Sequence, residues 1–100
     1  MKRAEGNFLM ATATRTKYAE TLFKPATIAA AIDDAAKQGY RHHRVVQEFP
    51  FDLSDTDAAK AIEEWLDSEE FHYIWAHTYI ERSAFRPPIV TEYPELEISW

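Results

Sequence analysis

Arg41-His42-His43-Arg44 is the densest run of chemistry-bearing residues in the chain. On an extended backbone successive side chains alternate, so His42 and Arg44 face one way and Arg41 and His43 the other. Each face then holds one imidazole and one guanidinium, enough to grip a phosphate or carboxylate weakly. These four residues are a candidate anion-binding site; the plainer reading is the polar start of a strand emerging after Gly39. Metal chemistry is not indicated. Adjacent histidines cannot both ligate from a straight strand, and His72 and His77, five residues apart, fall on its opposite faces. No H-E-x-x-H motif occurs, and the absence of cysteine excludes thiol catalysis, disulfides and Cys-ligated zinc. No metal or other cofactor is expected.

Other reactive groups fare no better. Ser54, Ser68, Ser83 and Ser99 belong to expected caps, loops or the tail, and no G-x-S-x-G elbow surrounds any of them. Glu48, Glu81 and Glu92 supply carboxylates, but nothing in the spacing sets a catalytic separation between two of them. The pair His77-Thr78 stands alone. The two glycines, Gly6 and Gly39, are too far apart for a phosphate-cradling loop. An enzyme or ligand-binding domain built on His42, His43, His72 or His77 with a carboxylate is therefore the alternative reading, not the leading one.

Charge is more informative than motif. The 100-residue chain carries a formal net charge of −6. Residues 1–51 sum to +3, residues 52–70 to −7, residues 71–91 to +1 and residues 92–100 to −3. The acidic excess is thus concentrated in one segment. Asp57, Glu63, Glu64 and Asp67 occupy one arc of a helix there, with Lys60 among them, over about 15 Å of axis. That is roughly one carboxylate per 4–5 Å, close to the 3.4 Å spacing of phosphates along one DNA strand. A solvated, solubilising face is the plain interpretation. The sharper one is a docking face for a basic protein surface, such as one that normally holds nucleic acid. Glu69 and Glu70 extend the acidic run, and Phe71 and Tyr73 are candidate aromatic anchors, with Tyr93 and Trp100 further ones.

The expected function is accordingly non-enzymatic protein binding by an acidic helix. Its specific form is a phage-type, anti-defence (anti-CRISPR-like) inhibitor that mimics nucleic acid. Direct nucleic-acid binding by Arg15, Lys17, Lys24, Arg41 and Arg44 with Tyr18 and Tyr40 conflicts with the nearby acidic segment. The dipolar layout also permits head-to-tail self-association, as in a homo-oligomeric accessory subunit. No motif matches a known family.

The elements that must position these residues read as follows. A helix runs from Pro25, suited to a first helical position, to just before Gly39, suited to a left-handed cap. A second starts at Ser54 or Asp55 with Ser54-x-x-Asp57 as its capping box, and sets Ala58, Ala61, Ile62, Trp65 and Leu66 against the acidic arc. Phe71 to Arg82 reads as a central strand, Arg41 to Phe51 as another and Met10 to Glu20, with three threonines, as a third. After Pro87-Pro88, Ile89 to Trp100 pairs back, with Pro94 confining it to an edge or bulge. The order β-α-β-α-β-β predicts an α+β fold, two helices on one face of a mixed, four-stranded sheet. One compact domain is expected over residues 10–100. Residues 1–9 are expected to be a mobile leader, with Met10 an alternative start. No signal peptide or membrane-spanning run is evident, which predicts a cytoplasmic protein.

Overall fold

The computed structural model describes residues 2–82 and 89–100, so Ser83 and the Pro87-Pro88 interruption lie outside the described residues. The elements among them are α1 (Arg3–Leu22), α2 (Pro25–Lys37), β1 (His42–Arg44), α3 (Asp57–Ser68), β2 (His72–Arg82) and β3 (Ile89–Ser99). The fold is α+β, but the order is α-α-β-α-β-β and the described sheet has three antiparallel-paired strands, not four.

The missing strand is α1. Met10 to Glu20 is helical, and its threonines explain how. Thr12 and Thr14 donate their hydroxyls to the carbonyls of Phe8 and Met10 at 2.9 and 3.0 Å, one turn back. This local bond lets a residue with β preference sit in a helix rich in alanine and long unbranched side chains. A helical signal was present in Tyr18, Ala19, Leu22 and Phe23, spaced to share one face. Ala19 and Phe23 are buried in the core, with Tyr18 and Leu22 packed against it.

α2 follows the expected punctuation, with Pro25 at its start and Gly39 at φ 92° just past its end. α3 starts later than expected. Its N-cap is Thr56, not Ser54: the Thr56 hydroxyl accepts the Ala59 N–H at 3.2 Å. Its buried stripe is Ala59, Ile62 and Leu66, so Ala59 replaces the exposed Ala61 of the expected face. The helix ends on Glu70 at φ 63°, a left-handed position that glycine usually fills.

Strand order is β1-β3-β2. β3 is therefore central and β2 marginal, the reverse of the expectation. Pro94 is tolerated in the central strand because β1 pairs only with Glu97, Ile98 and Ser99, leaving no ladder beside the proline. Arg41 to Phe51 yields just the three residues of β1. Gln47 ends it: its side-chain amide donates to the carbonyls of Phe49 and Phe51 at 3.2 and 2.9 Å, folding the chain back on itself.

Register places Tyr73 opposite Ile98 and Trp75 opposite Leu96, so these share one face, along with His43 of β1. Leu96 and Ile98 join Ile28, Ile32, Ala59, Ile62 and Leu66 in the core, closed by Val45 and Leu53 from the connection between β1 and α3. The radius of gyration is 15.8 Å, against the roughly 13 Å of a close-packed chain this long. The first half of α1 leaves Phe8, Leu9 and Met10 exposed, and the far half of the β2–β3 hairpin leaves His77 and Tyr79 exposed. No helix among the described residues is long and apolar enough to cross a membrane.

Candidate functional site

Burying Ala59, Ile62 and Leu66 forces the polar side of α3 outward, where Asp57, Lys60, Glu64 and Asp67 are exposed. Glu69 and Glu70 continue the acidic surface past the helix end and are also exposed. Among the described residues none of these carboxylates, nor Lys60, takes part in an ion pair.

Glu63 differs from its neighbours. It is half-buried, and its carboxylate accepts the indole N–H of Trp75 at 3.0 Å. One turn on, Asp67 accepts the Tyr73 hydroxyl at 3.4 Å. Partial burial pushes the Tyr73 phenol above its usual range, with the Asp67 and Glu63 charges adding to the effect. The acidic flank of α3 is thus fastened along β2, the margin of the sheet.

The proposed aromatic anchors are engaged within the chain. Phe71 stacks on Trp65 with centroids 5.9 Å apart and meets Trp100 edge-on at 6.2 Å. Tyr73 is half-buried under Asp67, and Tyr93 is buried. Ile74 and Tyr79 of β2 are open to solvent, 61% and 63% exposed; the register puts Tyr79 on the face of Tyr73 and Trp75 and Ile74 on the other. Their sequence signal was the strand itself; a strand placed at the margin exposes what a central one would bury.

The basic cluster is divided. Arg44 pairs with Glu97 at 3.1 Å and approaches Glu95 at 3.9 Å. Its guanidinium is occupied by carboxylates of its own sheet. His43 turns toward α2, lining a shallow groove with Asp34, Ala35 and Tyr40, and burial and the adjacent His42 hold its pKa below the ordinary value. His42 lies edge-on to Tyr40 at 6.0 Å, and Arg41 is exposed. Alternation along β1 is as the sequence implied, but the four residues do not converge on one point. Of the basic residues considered for nucleic acid, Arg15 also has a partner, its guanidinium lying 5.0 Å from the Phe51 ring centroid.

His72 and His77 fall on opposite faces of β2, opposite Ser99 and Pro94. His77 Nδ1 lies 2.6 Å from Glu92 on the exposed end of the hairpin. No group of three metal-ligating side chains occurs among the described residues.

One constellation was not legible in the sequence. Glu95 is 2% exposed, and its carboxylate accepts the Gln47 N–H at 2.7 Å, the Thr78 hydroxyl at 3.2 Å and the Tyr93 hydroxyl at 3.4 Å. It ties the connection after β1 to the sheet, a structural role carried by a residue that alternation alone would assign to solvent. No protein-family model matches the chain, and no curated protein or solved structure matches it either.

Proposed function

We propose that the protein is a non-enzymatic binding module whose α3 surface docks on a basic surface of a partner protein. The observation that carries this reading is the set Asp57, Glu64, Asp67, Glu69 and Glu70: all exposed, contiguous, and without an ion pair among the described residues. Such a field raises association rates by roughly 10–10³-fold with a partner of opposite charge and weakens with salt. Tyr79, on the side of the neighbouring strand that faces α3, offers apolar surface that charge alone does not supply. The acidic surface of α3, continued by Glu69 and Glu70, favours, as the specific form, an inhibitor of a nucleic-acid-handling complex that occupies its nucleic-acid site, of the kind phages deploy against host defence.

The test avoids Glu63 and Asp67, whose hydrogen bonds to β2 would confuse binding with folding. The double variant Glu64→Lys/Glu69→Lys reverses exposed charge only. Circular dichroism should match the parent, while capture of the basic partner from host extract should be lost and the parent's capture should fall with added salt. Equal recovery by the folded variant would sink the proposal.

A further inference from the structure

β2 ends the sheet, and its 11 residues pair with β3 in unbroken register from His72↔Ser99 to Arg82↔Ile89. The other side of β2 faces no strand among the described residues. Proteins usually blunt such an edge with a short strand, a proline, a lysine, a bulge or a covering element. The opposite margin is blunted in the first way, since β1 has three residues. β2 (HYIWAHTYIER) has no proline, no lysine and no glycine, and its charged residues Glu81 and Arg82 come only at its end. Its register has no bulge.

From His72 to Tyr79 the edge strand has no Asp, Glu, Lys or Arg, but carboxylates border it. Glu63 and Asp67 bond to Trp75 and Tyr73 on one face, and Glu92 sits on His77 farther along that face. Glu97, opposite Ile74 on the other face, is held by Arg44 of β1 and does not border the edge. An added strand would thus set every second side chain beside the acids of that first face.

From this we infer that β2 receives an extended, lysine- or arginine-bearing segment of the partner protein as an additional strand of the sheet. Main-chain bonds to the open edge hold it, and Glu63, Asp67 and Glu92 select its basic side chains. The inference rests on the docking reading above and names the part of the partner that is bound. A second copy of this chain is the poorer occupant. Pairing two β2 edges would bring two such carboxylate borders together between molecules that each carry −6.

The probe is a short acetylated peptide alternating lysine and valine, mixed with the intact protein and followed by fluorescence anisotropy and amide hydrogen exchange. The expected result is salt-sensitive binding with slowed exchange at alternate amides of residues 72–82. The same peptide with its edge-facing amides N-methylated keeps every charge and should bind at least about tenfold more weakly. The parent protein serves throughout, so no variant can fail to fold. Equal binding of the methylated peptide, unprotected β2 amides at saturation, or no binding at all overturns strand addition. Those results leave the α3 reading standing if the Glu64→Lys/Glu69→Lys variant still loses the partner. Loss of that charge dependence with β2 still protected fells the docking reading alone. A homodimer in sedimentation with β2 protected in the absence of peptide assigns the edge to a second copy and overturns the proposal.

Discussion

The Glu63 carboxylate and the Trp75 indole, joined at 3.0 Å, fasten the acidic helix to the marginal strand. The same indole meets Phe23 edge-on at 5.6 Å, so one tryptophan connects α1, α3 and β2. An acid that charge patterning assigns to a solvated face thereby acts in packing. Charge reversal across the helix must spare it if binding is to be read separately from folding.

Glu63→Ala should lower unfolding free energy by about 1 kcal/mol, because the indole N–H loses its acceptor in a half-buried site. Glu63→Gln keeps an acceptor oxygen and should lose less. Urea titration followed by tryptophan fluorescence measures both. An alanine variant as stable as the parent would show that the hydrogen bond contributes nothing net.

Glu95 should matter more, since its carboxylate is buried and holds three donors within 3.4 Å. Glu95→Ala should cost about 2–3 kcal/mol by leaving the Gln47 N–H and two hydroxyls without their acceptor. Release of the segment after β1 should also open Val46 and Phe49 to proteolysis, which limited digestion and mass spectrometry would locate. Loss of stability with no new cleavage there would contradict the anchoring role.

His43 predicts an acid-side dependence. Its folded pKa lies below the ordinary 6.5, because burial and then the neighbouring His42 disfavour the charged form. The unfolded chain therefore binds the proton more readily than the folded one. The stability associated with neutral His43 is fully present above 6.5 and is lost as pH falls through the lower folded value. His43→Gln should flatten the decline in urea midpoint within that window and leave the alkaline side unchanged. A parent and a variant with parallel profiles would show that another group controls the decline.

Much of this architecture is local and was open to reading. Pro25 and Gly39 bracket α2 because each acts through its own backbone geometry. The β2–β3 hairpin announced itself through aromatic and β-branched runs. The acidic face of α3 followed from helical periodicity. Threonine preference points to a strand over Met10 to Glu20, whereas a helix there lets Thr12 and Thr14 bond the carbonyls of Phe8 and Met10.

What the chain determined by itself, then, is the placement of charge in residues 52–70 and the kinds of element on either side of it. Those are properties of neighbours in sequence. Tertiary structure alone decided that β1 pairs with β3, which moves β2 from the centre to the margin. Strand order depends on competition among distant pairings, and no local pattern encodes it. The same packing divided the carboxylates, giving Glu63 to Trp75 and burying Glu95 under Gln47, Thr78 and Tyr93, while Glu64, Glu69 and Glu70 stay in solvent. Acids alike in sequence differ here because only some meet a donor when the sheet and helices close.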